Sequence, residues 1–397
     1  MFAPLVLRLL LLWRVTSAVL GDSVDRQATR DHEVIRRPIF NPPADYPTPR
    51  TLYGRTVQLH DGTLLATWEN HSPEPPMAYL LIYRSKDKGT TWEPYSKVTD
   101  QVNGWGLRYQ PFLYVLPRRI GSFHQGTVLL AGTSSPWDHA ATKIDLYASR
   151  DGGRTWSFAS SVARGGRAYP VNGETPVWEP FLMVHGRELI CYYSDQRDRA
   201  YGQKLVHQGS HDGLSWGPVV NDVTGREDAG ERPGMATVAA LPGGKWIMTF
   251  EYGGGSNPHP EPARGDGWWF PVYYRVADSP LEFASAPDQL LNVHRTVPTS
   301  SPYVAWSPAG GANGTIVVTA GSTSGIYINT RLGHAASWEF RPTPQSAAYS
   351  RQVMVMNDPD WIHIISAGYL NANNRVTNSV VKLPSLSSRP AGHGSGK

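Results

Sequence analysis

Two glutamates lie in sequence settings that suit acid and base chemistry. Glu179 is flanked by prolines and aromatic residues in the stretch 175–181, which predicts a carboxylate held at the start of a strand. Glu251 ends an apolar strand predicted at 248–252 and precedes a glycine loop. Apolar surroundings raise the pKa of a carboxyl group, so both side chains are candidates for proton transfer. The alternative is that Glu179 is a solvated loop residue and Glu251 a hydrogen-bonded strand cap.

A pair of carboxyl groups is more informative than either group alone. Hydrolysis of a glycosidic bond needs one carboxyl to protonate the leaving oxygen and a second to attack or to activate water. Glu179 and Glu251 are 72 residues apart, so this chemistry requires a fold that brings distant segments together.

An internal repeat indicates which elements position the pair. Three stretches share a Ser-x-Asp pattern that ends in Trp, at residues 85–92, 149–156 and 210–216. Their aspartates, Asp87, Asp151 and Asp212, lie 64 and 61 residues apart. Each follows a predicted strand, so we expect the Asp in a tight turn, where its carboxylate accepts backbone N–H groups. This role is architectural rather than catalytic.

A second recurrence gives the number of repeats. A short turn followed by an apolar strand occurs six times, at residues 60–65, 124–129, 185–190, 242–247, 312–317 and 358–363. Each unit is predicted to form a sheet of about four short strands. The last unit is short, and residues 33–40 are expected to supply its missing strand, which would hide a sheet edge. The pattern predicts an all-β fold, a six-bladed β-propeller.

The composition agrees with this fold class. The 397 residues include 39 Gly, 33 Pro, 14 Trp and 19 Tyr, and no long segment has helical periodicity, as is typical of turn-rich all-β proteins. We interpret residues 22–384 as a single propeller domain and residues 385–397, rich in Ser, Gly and Pro, as a flexible tail.

The N-terminus predicts export. Residues 1–21 combine an early Arg8, an apolar run and a small-residue cleavage pattern, which indicates a secretory signal peptide rather than a membrane anchor. The triplets that begin at Asn70 and Asn313 fit the N-glycosylation sequon. We therefore expect a secreted, extracellular protein with no membrane association after cleavage.

The sequence gives little support for other chemistries. Cys191 is the sole cysteine, which excludes an internal disulfide, and its apolar neighbours predict a buried strand residue. Metal-ligand spacings are lacking, so neither a metal nor a cofactor is expected. The net charge of +4 is dispersed, and a nucleic-acid partner is not predicted.

Five widely separated strings resemble the fungal exo-α-1,5-L-arabinanases of glycoside hydrolase family 93. They are residues 103–112, 176–181, 192–197, 232–235 and 250–252. The resemblance implies a six-bladed, sialidase-like propeller that releases arabinobiose from the non-reducing end of linear arabinan with retention. We also expect the protein to be a monomer. It also implies that Glu251 is the nucleophile and Glu179 the acid/base. A tyrosine of the last blade is expected near the nucleophile, and Tyr349 matches it.

Seven further side chains are candidates for sugar binding. They are Arg108, Tyr109, Asp195, Arg197 and Arg351 for hydrogen bonding, and Trp105 and Trp178 for stacking. The alternative is that the tryptophans belong to the core and that Asp195 and Arg197 form a surface ion pair.

Two other functions remain open from the sequence. The first is a sialidase, because Arg36 and Arg37 resemble the arginine-containing motif of that family and arginines suit an acidic sugar. The second is a carbohydrate-binding propeller without catalytic activity. This second function predicts that Glu179 and Glu251 do not face a common cleft.

Overall fold

The computed structural model describes residues 33–225, 230–254 and 270–383. These residues form β-strands joined by turns, with three single-turn 3₁₀-helices at Pro242–Gly244, Phe283–Ser285 and Ala335–Ser337. Within these ranges no helix has the length and apolar character needed to cross a membrane. The predicted signal peptide and tail lie outside the described residues.

Twenty-four strands make up the described part of the chain. The first nine are β1 (Val34–Phe40), β2 (Thr51–Gln58), β3 (Leu64–Asn70), β4 (Tyr79–Ser85), β5 (Glu93–Thr99), β6 (Leu107–Val115), β7 (Val128–Ser134), β8 (Thr142–Ser149) and β9 (Ser157–Gly165). The next eight are β10 (Val177–His185), β11 (Glu188–Asp195), β12 (Lys204–Ser210), β13 (Val220–Val223), β14 (Arg232–Ala240), β15 (Trp246–Gly253), β16 (Val272–Ala277) and β17 (Gln289–Leu290). The last seven are β18 (Tyr303–Ser307), β19 (Thr315–Thr319), β20 (Ile326–Asn329), β21 (Trp338–Arg341), β22 (Gln352–Val355), β23 (Trp361–Ser366) and β24 (Val376–Lys382).

The strands form six antiparallel sheets of four, the blades of a propeller. Blade 1 is β2–β5, blade 2 is β6–β9, blade 3 is β10–β13, blade 4 is β14–β17 and blade 5 is β18–β21. The first strand of each blade contacts the first strand of the next, and β2 contacts β22 of blade 6 to complete the ring. Apolar side chains fill the space between blades; the rings of Phe112 and Phe181, for example, are 4.7 Å apart. The predicted six-bladed, all-β architecture is confirmed.

The ring is closed by the N-terminal strand. Blade 6 has the order β1-β24-β23-β22, with β1 antiparallel to β24 and Val34 paired with Val380. Residues 33–40 thus complete the last blade, as the sequence predicts, and the two ends of the propeller are joined by backbone hydrogen bonds within one sheet. This arrangement covers an edge that would otherwise be open to pairing with another chain.

The repeated aspartates stabilise turns. Asp87 accepts hydrogen bonds from Ser85 Oγ at 2.8 Å and from the Thr91 amide at 2.9 Å, and Asp151 has the same contacts with Ser149 and Thr155. In blade 5, where the sequence lacks the Asp, Asn329 Oδ1 accepts the amides of Arg331 and Gly333 instead. Turn geometry therefore persists in a blade whose motif is degenerate, because an amide oxygen replaces the carboxylate.

The inner edge of every blade carries one residue with left-handed backbone geometry. These residues are Tyr53, Gln110, Glu179, Met235, Ser301 and Ser350, with φ between 44° and 62°. In blades 1 to 4 the residue lies where the pairing register shifts, which marks a β-bulge. Such conformations cost a non-glycine residue about 1 kcal/mol or more and concentrate at functional sites.

Candidate active site

Glu179 lies at the bulge of β10. Its Oε2 accepts hydrogen bonds from Ser194 Oγ at 2.6 Å and from the Met235 amide at 3.1 Å. The side chain keeps some solvent contact but lies deep among protein atoms, and this burial raises its pKa against the opposing effect of the two donors. Glu179 is a strand residue held by the neighbouring blade, not a solvated loop residue.

Glu251 lies near the end of β15 in blade 4. Its Oε2 accepts a hydrogen bond of 2.6 Å from the amide of Ser301, the left-handed residue of blade 5. Burial raises the pKa of Glu251 to about 8, and the charge of Glu179 adds to this effect. Both glutamates therefore accept an amide N–H from a left-handed residue on the inner edge of the next blade.

The two carboxyl groups face one another across Gly234. A Cβ placed on Gly234 would lie 3.6 Å from Glu179 Oε2 and 3.6 Å from Glu251 Oε1, so these oxygens are separated by no more than twice that distance. Any larger residue at position 234 would intrude between them. The paired glutamates thus lie close together, as the hydrolase hypothesis requires and the non-catalytic alternative does not predict.

Tyr349 lies beside the pair. Its ring packs on a cluster of Leu52, Tyr53 and Met235, with the Tyr53 ring centroid 6.2 Å away. Burial raises the pKa of the Tyr349 hydroxyl, and the charges of Glu179 and Glu251 raise it further. The structure therefore brings Tyr349 of blade 6 to the two glutamates, where the resemblance predicts a tyrosine.

A third buried carboxyl group, that of Glu69, belongs to the same region. Glu69 is 4% exposed and accepts hydrogen bonds from the Gln110 amide at 2.9 Å and from His71 Nε2 at 3.3 Å. Its negative charge raises the pKa of both Glu179 and Tyr349. In the backbone register of blade 1, Glu69 lies opposite Leu52 next to a bulge. Glu251 lies opposite Gly234 in the same way in blade 4. Sequence reasoning missed Glu69, although it follows an aromatic residue at the end of an apolar strand as Glu251 does.

Arg232 supplies positive charge to the site. This residue at the start of β14 is 5% exposed, and its guanidinium donates to Gln196 Oε1 at 2.8 Å and Gln203 Oε1 at 3.0 Å. Its charge opposes the rise in the pKa values of Glu179 and Glu251. Sequence reasoning noted the string that contains Arg232 without assigning it a role.

Arg108 and Tyr109 line a cavity of about 470 Å³ between blades 1 and 2. The guanidinium of Arg108 pairs with both carboxylate oxygens of Glu74, and the Tyr109 hydroxyl lies 3.1 Å from His139 Nδ1. Both predicted binding residues therefore lie at a concave surface. The cavity also takes in Asn70, whose 4% exposure is incompatible with the glycosylation that its sequon predicts.

Asp195 and Arg197 form an ion pair with each other. Asp195 is 3% exposed. Its two carboxylate oxygens accept hydrogen bonds from Arg197 Nε at 2.9 Å and from Arg197 Nη2 at 2.7 Å. The two residues thus form the ion pair that the alternative interpretation predicts, but the Asp195 carboxylate is buried rather than at the surface. Trp178 is also buried, and its indole N–H donates to Gln203 Oε1 at 3.1 Å, so it supports the bulge beside Glu179 and offers no open face for stacking.

Trp105 and Arg351 have partners other than the glutamate pair. The ring of Trp105 is half-buried under the guanidinium of Arg164, 5.6 Å from the ring centroid. Arg351 is fully buried, and its guanidinium donates to the backbone carbonyls of Ser324 and Gly325. Its Nη1 and Nη2 groups thus link blades 5 and 6, and the full burial of the side chain does not favour direct contact with a sugar.

The arginines that suggest a sialidase do not reach the site. Arg36 and Arg37 are exposed residues of β1, the outermost strand of blade 6, and Arg36 Nε donates to the Pro344 carbonyl. Among the described residues, no three His, Cys, Asp or Glu side chains gather in a way that could hold a metal ion.

A propeller whose inner strands bring two buried carboxyl groups together has the pair of acids that a glycoside hydrolase needs. Solved structures of such enzymes are similar to this chain. An α-L-arabinofuranosidase of Fusarium graminearum in complex with an iminosugar inhibitor shares 49% identity over 88% of this chain and 98% of its own, with a TM-score of 0.85. An α-L-arabinanase of Penicillium chrysogenum in complex with arabinobiose shares 50% identity over 89% and 99%, with a TM-score of 0.84.

The Fusarium enzyme, also solved with arabinobiose, is a member of glycoside hydrolase family 93. At this identity and coverage the present chain belongs to glycoside hydrolase family 93, as the resemblance indicates, and it is a glycoside hydrolase. A microbial sialidase with 15% identity and a TM-score of 0.57 shares the fold alone. No protein-family model and no curated protein matches the chain.

Proposed function

We propose that the protein is a secreted, exo-acting hydrolase that releases arabinobiose from the non-reducing end of linear α-1,5-L-arabinan. The observation that carries this proposal is the approach of Glu179 and Glu251 to the same point beside Gly234. The similar Penicillium and Fusarium enzymes were solved with arabinobiose, which supports an arabinan substrate. Export rests on the signal-like residues 1–21, and we expect a monomer.

We propose a retaining mechanism in which Glu251 is the nucleophile and Glu179 the acid/base. Glu179 gives its proton to the glycosidic oxygen while Glu251 attacks the anomeric carbon, so that the C–O bond breaks as a glycosyl ester forms. Glu179, now ionised, then removes a proton from water, which displaces Glu251 and restores both groups. The upper limit on the separation of the carboxyl oxygens is compatible with the spacing of about 5–5.5 Å in retaining enzymes.

The proton must be on Glu179 when the bond breaks. In the free protein the pKa of Glu251 is about 8, so this carboxyl holds a proton at pH 7. The proposed roles therefore require the proton to move to Glu179 when substrate binds and the glycosidic oxygen approaches that side chain. The hydrogen bond from Ser301 to Glu251 favours the ionised form of the nucleophile in that state.

Hydrolysis assays on matched substrates test this function. The wild-type protein is incubated with debranched linear arabinan and, in parallel, with a sialoside. We expect arabinobiose as the sole early product from arabinan and no sialic acid. Glu179→Gln and Glu251→Gln should abolish turnover with folding intact, whereas Glu188→Gln, at the far end of β11 in the blade of Glu179, should not. Sialic acid release, or arabinan hydrolysis by both glutamine variants, would refute the proposal.

A further inference from the structure

The second glycosylation sequon, residues 313–315, lies in the turn between β18 and β19 of blade 5. Residues 311–312 of this turn are exposed and Asn313 is half-buried. The backbone of the turn is held without the Asn313 side chain, because its backbone carbonyl accepts the Trp306 indole N–H at 3.0 Å. Exposed turns are where such sequons are modified in exported proteins.

The side-chain amide of Asn313 can carry a sugar and keep its own hydrogen bond. Its Nδ2 donates to the Thr330 carbonyl at 3.3 Å, which uses one of the two hydrogens of a primary amide. In the transfer, Nδ2 attacks C1 of the first sugar of a lipid-linked oligosaccharide diphosphate. The C1–N bond forms as the C1–O bond to the diphosphate breaks, and Nδ2 gives up the other hydrogen as a proton.

An open groove of about 350 Å³ begins at Asn313. Its remaining lining comes from the turn between β20 and β21, namely Arg331, Leu332, His334 and Ser337. Leu332 packs against the apolar core of blades 4 and 5 and is half-buried, so it offers an apolar surface at the base of the groove. An N-acetylglucosamine unit has C–H groups and an acetyl methyl for this surface, and oxygens for the polar side chains.

This groove lies at the opposite end of blade 5 from the active site. Ser301, which donates to Glu251, precedes β18, and Asn313 follows it. The five residues of β18 span about 16 Å at about 3.3 Å per residue, so a glycan on Asn313 leaves the glutamates accessible. The first sequon differs, because Asn70 is 4% exposed and lines the cavity beside Arg108.

We propose that Asn313 carries an N-linked glycan and that the first N-acetylglucosamine packs on Leu332 in the adjoining groove. The inference rests on the export part of the proposed function, because a chain meets the glycosylation machinery only when it enters the secretory route. It adds a covalent modification site to the protein. It also assigns different fates to the two sequons, since Asn70 stays unmodified.

Peptide mass spectrometry tests the modification. The full chain is secreted from a eukaryotic host, denatured and treated with a peptide N-glycosidase in water labelled with oxygen-18, which converts a glycosylated Asn to a labelled Asp. We expect the label at Asn313 and none at Asn70. A matched preparation carries the host's own signal peptide in place of residues 1–21, so that Asn313 is tested whether or not those residues direct export.

Thermal melting tests the groove. The secreted protein is trimmed by an endoglycosidase that leaves only the first N-acetylglucosamine, and is compared with Asn313→Gln, which has no glycan. The trimmed protein should melt about 1–3 °C higher, because the sugar covers apolar surface. Leu332→Ala should reduce this difference to less than half, whereas Leu214→Ala, at an exposed leucine in the corresponding turn of blade 3, should preserve it.

The outcomes separate this site from the proposed function. Secreted protein with an unmodified Asn313, a label at Asn70, or a melting difference that Leu332→Ala leaves unchanged would overturn the proposal. Retention of the native chain in the cell, with secretion of the protein that carries the host's signal peptide, would instead refute the proposed export. Hydrolysis of arabinan by Asn313→Gln should match that of the wild type, and its loss would contradict the placement of the glycan away from the glutamates.

Discussion

Replacing Glu179 with Gln should lower the pKa of Glu251. The two carboxyl oxygens nearest Gly234 are at most about 7 Å apart, and at an effective dielectric constant of about 20 two unit charges at that distance repel by about 2 kcal/mol. Since about 1.4 kcal/mol changes a pKa by one, removal of the Glu179 charge should lower the pKa of Glu251 from about 8 to about 6.5. The variant therefore carries an ionised Glu251 at neutral pH, whereas the parent carries a protonated one.

Carbon-13 NMR of protein labelled at the glutamate carboxyl carbons measures this change directly, with the Glu251 resonance assigned by its loss in Glu251→Gln. The control is Glu188→Gln, which makes the same charge change at the opposite end of β11 from Ser194. Strands rise about 3.3 Å per residue, so this site is too far away to act on Glu251. A Glu251 midpoint in Glu179→Gln within 0.3 of the parent value, where about 1.5 is expected, would refute the close pairing of the two carboxyl groups.

Three further changes probe the neighbours of the pair. Tyr349→Phe keeps the ring against its cluster but removes the hydroxyl beside both charges, so kcat on linear arabinan should fall about 10- to 100-fold, measured by reducing-sugar release. Glu69→Gln removes a charge that raises the pKa of Glu179; that pKa should fall, and the alkaline limb of kcat/KM should move to lower pH. Gly234→Ala places a methyl group 3.6 Å from each carboxyl and 2.8 Å from Gln203 Nε2; hydrolysis should be lost, and the melting temperature should fall because the Gln203 side chain must shift. An unchanged kcat, an unmoved alkaline limb or an active alanine variant would contradict the respective assignment.

The architecture was accessible from sequence because it depends on local turn chemistry. The carboxylates of Asp87 and Asp151 accept amides within four residues along the chain, so short strings reveal the turns and their period reveals the blades. The role of β1 in closing the ring was predictable because the last repeat is one strand short, and β1 is the segment outside the repeats that can fill that place.

The details of the site depend on contacts that sequence spacing does not encode. Met235 and Ser301, whose amides bond the glutamates, have left-handed backbone geometry where inner strands meet around the ring, and nothing in these residue types predicts it. Arg351 has the sequence setting of a ligand-binding arginine, yet its guanidinium donates to backbone carbonyls of blade 5. Glu69 was hidden for the same reason: its importance comes from a neighbour, Gln110, 41 residues away.

The stereochemistry of the first product is the most direct test of the central proposal that Glu251 acts as nucleophile and Glu179 as acid/base on one glycosidic bond. Proton NMR of the wild-type protein with linear arabinan, recorded before mutarotation, should show α-arabinobiose as the initial product and no signal with either glutamine variant. Release of the β-anomer first, or of a mixture of longer oligosaccharides, would contradict it.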